Sequence, residues 1–146
     1  MDETPDRMAR KPSWLITQLA VHAHRLAMGG FAATGARGYH YRVLGALHEF
    51  GPSSQADIGR RCRIDRSDVV AVVNQLVANG HVDRSPDPEH GRRNRVTLTP
   101  TGLQQLRRMD EVLDEVQDDL LRPLTPADRE TFTRLLTQVL IHHEQD

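Results

Sequence analysis

The sequence has only one cysteine, Cys62, in 146 residues, and no uninterrupted apolar run approaches the roughly 20 residues of a membrane-spanning helix. A single cysteine excludes an intrachain disulfide. The first residues, MDETPDRMARKPS, mix acidic and basic side chains and lack the apolar segment of a secretory signal. These features are atypical of disulfide-rich secreted proteins and of membrane proteins, and we expect one compact domain in the cytoplasm.

The sequence also lacks the short motifs of common enzymes, namely a phosphate-binding glycine loop, a zinc-hydrolase helix and a serine elbow. We therefore expect no catalysis and no cofactor. The eight histidines raise the question of a metal. However, His22 and His24 are two residues apart on a predicted helix and point to different faces, and His142 and His143 are adjacent near the end of another. We predict no metal site, and a metal-responsive regulator stays open as an alternative.

The charges are distributed unevenly along the chain. Residues 1–52 contain six Lys/Arg and four Asp/Glu, residues 53–108 contain ten and six, and residues 109–146 contain three and ten, although the formal net charge is only -1. A locally basic surface attracts polyanions even when the total charge is close to zero. Two ordinary solvated faces are the alternative, and composition alone does not decide between them.

Apolar spacing predicts helices over the first third of the chain. Ser13 is a candidate cap for a helix with Leu15 and Leu19 on one stripe, and Gly29 with Gly30 is expected to weaken or kink its end. A second helix from about Tyr39 to Phe50 is expected to bury both of these aromatic residues together with Val43, Leu44 and Leu47. Gly51 and Pro52 end it.

The next segment has the pattern of two short helices joined by a tight turn. Ser54, with Asp57 three residues later, is a capping-box-like start, and this helix reaches Arg61 or Cys62. Cys62 is expected to face the core as a packed thiol rather than as a redox switch. Asp65 is a candidate cap for the next helix, whose apolar positions recur every three or four residues: Val69, Val72, Val73 and Leu76. This pair of helices predicts a helix-turn-helix.

After Gly80 the apolar period changes from helix to strand. HVDRS and NRVTLT alternate apolar and polar residues around the turn-forming PDPEHG, which predicts a β-hairpin. Thr99 and Pro100 then open a long helix that Pro123 closes, and Thr125 starts a last one. The fold class is therefore mainly α with a small β-hairpin wing, a winged helix-turn-helix with helices on both sides.

This order of elements gives a role to the arginines of SPDPEHGRRNRVTLT. Arginines on a hairpin beside a recognition helix reach backbone phosphates or the minor groove, while the helix enters the major groove. Double-stranded DNA is therefore the predicted partner. A winged helix that contacts only protein stays open as an alternative.

The segment YHYRVLGALHEFGPSSQADIGRRCRIDRSDVVAVVNQLVANGHVDRSPDPEHGRRNRVTLTPTG resembles the MarR family of winged-helix transcription regulators, and the likeness extends over residues 13–143. The resemblance implies a homodimer on pseudo-palindromic operators, a repressor in many cases, released by a small aromatic or anionic effector. It divides the single 1–146 domain into a DNA-binding lobe, residues 37–99, and dimerisation helices, residues 13–34 and 100–143.

The sequence departs from the family pattern at the wing and on the recognition helix. His90 stands where the family has an acid, whereas Arg92 matches the arginine expected to approach the minor groove. Asp68 either accepts from a cytosine amino group or helps to cap its helix, and we favour the cap. Val70 and Ala71 face thymine methyl groups in this interpretation, and Asn74 or Gln75 contacts adenine. The predicted DNA contacts are Ser54, Gln55, Arg66, Ser67, Asp68, Val70, Ala71, Asn74, Gln75, Arg84, His90, Arg92, Arg93 and Arg95.

Two further sets of residues are predicted outside the DNA contacts. The first and last long helices carry more apolar residues than one small winged helix covers. The candidate dimer contacts are Leu15, Leu19, Phe132, Leu135, Leu136 and Leu140. The resemblance places an effector between the dimer helices and the winged domain, and the candidate lining residues are Trp14, His22, Arg25, Tyr39 and Arg42.

Overall fold

The computed structural model describes residues 3–91 and 94–145. Most of the structure is helical, and a short antiparallel sheet lies beside the two helices of the helix-turn-helix. The elements in chain order are α1 (Asp6–Ala9), α2 (Pro12–Ala32), α3 (Gly38–Phe50), β1 (Ser53–Ser54), α4 (Gln55–Cys62), α5 (Arg66–Ala78), β2 (Val82–Pro86), β3 (Asn94–Leu98), α6 (Pro100–Leu120) and α7 (Pro126–Glu144). The predicted fold class, a winged helix-turn-helix between flanking helices, is confirmed.

Helix α2 differs from its prediction at its start. It begins at Pro12 with Lys11 as N-cap, so Ser13 lies inside the helix, and it continues through Gly30 to Ala32. A Cβ atom on Gly30 would lie 2.8 Å from Cγ1 of Val112 and 3.0 Å from Cγ2 of Val116. The helix continues through this glycine, and the missing side chain lets α2 pack closely against α6.

Helix α3 buries Val43, Leu44 and Leu47 as predicted, but not the two aromatic residues at its ends. Tyr39 is 41% exposed and Phe50 is 55% exposed. Arginines cover both rings instead, with the Arg42 guanidinium 5.5 Å from the Tyr39 centroid and the Arg61 guanidinium 4.6 Å from the Phe50 centroid. Cation–π contact at the surface thus takes the place of burial.

Helix α3 is also tied to α6 by Tyr41. Its hydroxyl donates to Oδ1 of Asp110 at 2.7 Å, and its ring lies 5.7 Å from that of Phe31 on α2. Burial, together with the hydrogen bond to Asp110, raises the pKa of Tyr41 to about 12. The phenol therefore stays protonated and keeps its donor role at every physiological pH.

The predicted hairpin is confirmed, and the sheet has a third strand. Strands β2 and β3 pair in antiparallel register from Val82 opposite Leu98 to Pro86 opposite Asn94. The two-residue strand β1 adds to the other side of β3, with Ser54 opposite Arg95. Two residues are too short for an alternating pattern, which is why sequence reasoning missed β1. Its effect is to attach the start of α4 to the hairpin.

Side-chain caps fix the starts of three helices as predicted. Ser54 Oγ accepts from the Asp57 N–H at 3.1 Å, and Thr99 Oγ1 accepts from the Gly102 N–H at 3.0 Å. Thr125 caps α7 in the same way. At α5, by contrast, Asp65 is the N-cap residue without a side-chain hydrogen bond to any described residue. The predicted cap position is therefore confirmed without a capping hydrogen bond, and Asp68 places a carboxylate in the first turn of the helix.

One buried cluster joins the predicted DNA-binding lobe to the flanking helices. It runs from Phe31 on α2, through the apolar faces of α3, α4 and α5, to Leu106 and Met109 on α6. The DNA-binding lobe and the flanking helices therefore share one hydrophobic core. Within the described chain, no helix is long and apolar enough to cross a membrane.

Gly102 provides a test of the packing between α6 and the hairpin. A Cβ atom there would lie 2.0 Å from the carbonyl oxygen of His81, a backbone atom that cannot rotate away. We expect Gly102→Ala to destabilise the protein by about 1–3 kcal/mol or more, measured by urea unfolding. Gly45→Ala is the control, because its Cβ meets nothing within 4 Å. That variant is expected to keep or slightly raise stability, and equal behaviour of the two would contradict the packing.

Candidate nucleic-acid interface

The pair α4 and α5 forms a compact helix-turn-helix because two positions allow a tight turn. Arg63 adopts a left-handed backbone with φ 55°, which reverses the chain after α4. A Cβ on Gly59 would lie only 3.1 Å from the carbonyl oxygen of Ile64, so the glycine relieves crowding at the turn. The turn therefore holds α5 directly against α4.

Helix α5 buries one face and exposes the other. Val69, Val72, Val73 and Leu76 are all at most 6% exposed. The opposite face is exposed and holds the positions predicted to contact DNA: Arg66, Ser67, Asp68, Val70, Ala71 and Asn74. Val70 is 39% exposed, which leaves its methyl groups available to a partner.

A groove of about 690 Å³ lies between the starts of α4 and α5 and the first residue of β3. It brings together Ser54, Gln55 and Arg66, three residues that sequence reasoning assigned to DNA contact. Arg60 and Asn94 also line it, and both were missed. Asn94 begins β3 and pairs with Pro86 across the hairpin, and its place beside the start of α4 was not visible from the sequence. Arg60 donates to Oδ1 of Asp57, one turn earlier on α4, at 3.1 Å.

The hairpin presents further basic groups beside α5. Arg95 is exposed on β3, and His90 is exposed at the end of the turn. Arg84 is half-buried on β2 and donates to Oδ1 of Asn74 at 2.6 Å, which connects the hairpin to α5. Asn74 thus has an intramolecular partner that its sequence position did not reveal. The predicted contacts Arg92 and Arg93 lie outside the described residues.

Gln75 is exposed on α5 and forms a hydrogen bond within the protein. Its Oε1 lies 2.7 Å from Nε2 of His40, which is only 7% exposed. The other ring nitrogen, Nδ1, accepts from the backbone N–H of Arg37 at 3.2 Å. Since Nδ1 accepts, the proton must be on Nε2, and His40 donates to Gln75 as a neutral ring. Base contact by Gln75 stays a prediction, but here its acceptor is already used within the protein.

The predicted effector residues fall into two groups. On α2, Nδ1 of His22 lies 3.4 Å from the Arg25 guanidinium. Trp14 is half-buried in the first turn of the same helix. On α3, Arg42 stacks over Tyr39. Arg25 lines a cavity of about 340 Å³ between α2 and α6. Arg25 thus lines a concave surface, and the effector role of all five stays a prediction.

Two helices expose apolar faces that no other described part of the chain covers. On α2, Leu15 is 42% exposed and Leu19 is 36% exposed. On α7, which lies entirely within the described chain, no residue is buried, and Leu136 and Leu140 are 40% and 57% exposed. Leu135 is exposed too, and Phe132 is half-buried. Within the described chain, α7 therefore does not fold back onto the core.

Ion pairs hold α7 at two points. Arg129 donates to Oδ1 of Asp118 on α6 at 2.6 Å. At the other end of α7, Arg63 donates to Oε1 of Glu144 at 2.7 Å, and this hydrogen bond lowers the pKa of Glu144. Arg63 is the residue that turns the chain between α4 and α5. The end of α7 therefore contacts the turn of the helix-turn-helix.

Comparison with known proteins agrees with this arrangement. A sequence model described as the MarR family matches residues 34–93. The HTH-type transcriptional repressor IacR of Pseudomonas putida is 35% identical over 103 residues, which are 70% of this chain and 61% of that protein. The chain belongs to the MarR family. It spans less than two thirds of the length of IacR.

Solved structures show the same MarR fold over most of the chain. A probable transcriptional regulator from Pseudomonas aeruginosa superposes with a TM-score of 0.78 at 28% identity, covering 90% of this chain and 98% of that one. The PcaV transcriptional regulator from Streptomyces coelicolor, in complex with its natural ligand, has a TM-score of 0.73 at 28% identity, covering 94% and 96%. The predicted family is therefore confirmed.

Cys62 is packed in this MarR fold as predicted. It is 7% exposed, and its Sγ donates to the carbonyl oxygen of Arg42 at 3.3 Å. Burial raises the pKa of the thiol, against the opposing influence of Arg42 and Arg61. Because the thiolate is the reactive form, both the burial and the raised pKa make the side chain inert in the folded state.

We therefore expect Cys62 to react with Ellman's reagent at pH 8 only after unfolding. The absorbance of the released thiolate should rise at least about a hundredfold faster in denaturant than in native buffer, since reaction requires opening of the core. A Cys62→Ser variant, with no other thiol in the chain, gives the background. Complete reaction of the native protein within seconds would instead support a redox switch.

Proposed function

We propose that this MarR-family protein is a transcriptional repressor that binds pseudo-palindromic double-stranded DNA as a homodimer. The observation that carries the proposal is the exposed face of α5 beside the groove of Ser54, Gln55 and Arg66. A helix with one buried and one exposed face, next to a basic hairpin, is the arrangement by which winged helices enter the major groove. The transcriptional repressor IacR, to which this chain is similar, supports the proposal.

The contacts of the site assign separate tasks to its residues. Arg66 and Arg95 are exposed cations on two different elements, which suits phosphates on both sides of the groove. Val70 and Ala71 supply methyl groups for thymine, and Asn74 supplies an amide for adenine. Asn74 is held by Arg84, so the hairpin fixes the side chain that faces the base. Arg92 and Arg93 add to the basic hairpin by sequence.

The uncovered faces of α2 and α7 support the homodimer. Burying exposed leucines against a second copy removes apolar area from water, which is the main favourable term in association. A two-fold dimer presents two copies of α5 about 34–36 Å apart, one turn of duplex DNA. We also propose that a small aromatic or anionic effector releases the DNA. PcaV was solved with its natural ligand, and the cavity beside Arg25 is large enough for such a molecule.

Salt dependence tests the DNA proposal. If each copy of the complex neutralises about six phosphates, the logarithm of the association constant should fall with the logarithm of salt concentration at a slope near -5. Arg95→Ala should weaken binding to all sequences and reduce the slope by about 1. Arg122→Ala is the control, because its exposed pair with Asp119 lies at the far end of α6. Failure to retard any duplex from a randomised pool, even at low salt, would exclude DNA in favour of a protein partner.

A charge at the apolar face of α7 tests the homodimer. Leu140→Asp should shift the protein towards monomer by at least about tenfold in dimer affinity, since an unpaired carboxylate would be buried at the interface. Val77→Asp places the same charge on an exposed valine of α5 and should leave the dimer intact. Size-exclusion chromatography with light scattering measures the mass. An unmodified protein that is monomeric at micromolar concentration would contradict the proposal.

A further inference from the structure

Asn74, on the exposed face of α5, has a side-chain amide whose two ends are in different situations. Its Oδ1 accepts from Nη2 of Arg84 on β2 at 2.6 Å. An arginine only donates hydrogen bonds, so the end of the amide that faces Arg84 must be the oxygen. The end that is left for a partner is the NH₂ group, which carries two N–H donors.

The bond to Asn74 comes from a guanidinium with no competing partner in residues 3–91 and 94–145. No carboxylate of these residues forms an ion pair with Arg84, and its Nε atom is buried without a hydrogen-bond partner among them. A cation that donates to an amide oxygen polarises the amide and makes its N–H groups better donors. The bond therefore orients the amide of Asn74 and also strengthens its donor end.

Gln75, the next residue on α5, has its amide oxygen occupied in a similar way. Its Oε1 accepts from Nε2 of the neutral His40 ring at 2.7 Å. The two amides that were predicted to contact adenine thus both use their oxygens within the protein. What α5 offers to a partner from these two positions is N–H donors.

The two ends of an asparagine amide recognise different parts of a base. An unconstrained asparagine contacts adenine with both ends, since its oxygen accepts from the adenine amino group while its nitrogen donates to N7. A bond from the hairpin to the oxygen takes that end away from the base edge. Guanine presents two acceptors in the major groove, N7 and O6, whereas thymine presents one acceptor beside its methyl group. Guanine is therefore the base that best matches an amide with only its N–H donors free.

We propose that Asn74 contacts guanine in the operator, and that Arg84 is the positioning residue that sets this preference. The inference rests on the proposed function, because it concerns the base that the exposed face of α5 contacts. It assigns guanine at a position where the residue type alone indicates adenine. Arg84 is half-buried and acts through Asn74, so its effect is on the choice of base at one position of each half-site.

The choice of base is measured by selection from a randomised duplex pool, followed by competition between duplexes that differ at one position. Asn74→Ala identifies the position, because the preference there should relax when the amide is removed. The unmodified protein should prefer guanine over adenine at this position by at least about fivefold. A preference for adenine there, or no position that responds to Asn74→Ala, would overturn the inference.

Asn74→Asp reverses the free end of the side chain and keeps the bond to Arg84. One carboxylate oxygen still accepts from the guanidinium, but the other is an acceptor in place of a donor. The preference should therefore change from guanine to cytosine, whose amino group donates. Asn79→Asp is the matched control, since it makes the same change at the C-cap of α5 and should keep guanine. The same shift in both variants would assign it to charge alone and would overturn the inference.

Arg84→Met tests the positioning role. Without the guanidinium both ends of the Asn74 amide are free, so the preference should move from guanine towards adenine, whereas Arg84→Lys keeps a cationic donor and should keep guanine. An Arg84→Met protein that still prefers guanine would show that Arg84 does not set the base. A role of Arg84 in stability alone would weaken binding to all duplexes without changing the preferred base.

The bond between Arg84 and Asn74 is also tested without DNA. Urea unfolding of Arg84→Met, Asn74→Ala and the double variant should show a coupling of at least about threefold in the unfolding equilibrium constant. Additive effects would mean that the bond is not formed in solution and would overturn the inference. A protein that shows the coupling but retards no duplex loses the proposed function and the base contact with it. A protein that binds duplexes and prefers adenine loses the base contact alone.

Discussion

The recognition helix α5 depends on four buried side chains, Val69, Val72, Val73 and Leu76, which lock one face of it against the core. Their spacing leaves no freedom in which residues point outward. The exposed face, the groove beside Arg66 and the hairpin bond through Asn74 all follow from this single packing constraint. Losing it would move every candidate DNA contact on the helix at once.

The sequence predicted the parts of the fold that local patterns encode. The caps at Ser54, Thr99 and Thr125, the hairpin and the buried face of α5 each depend on residues within a few positions of one another, and each was confirmed. The errors lie where distant residues decide. Gly30 was expected to weaken or kink α2, and its second role, the close approach to Val112 and Val116 of α6, was missed. Phe50 was expected inside, but Arg61 covers it at the surface.

The candidate site was predictable in its residue types and less so in its connections. Helical spacing placed Val70 and Ala71 on the outer face because period and burial fix direction. It could not show that Asn74 bonds Arg84 or that Gln75 bonds His40, since those partners lie 10 and 35 residues away. It also missed Asn94 in the groove, because the start of β3 and the start of α4 are distant in the sequence and meet only in the fold. Long-range hydrogen bonds carry little signal in a single sequence.

The pair between Arg63 and Glu144 joins two parts of the chain that are 81 positions apart. It connects the end of α7 to the turn between α4 and α5. Both charges are exposed to solvent, so dissolved ions weaken the attachment. The contact between the end of α7 and this turn is therefore weaker at high salt concentration.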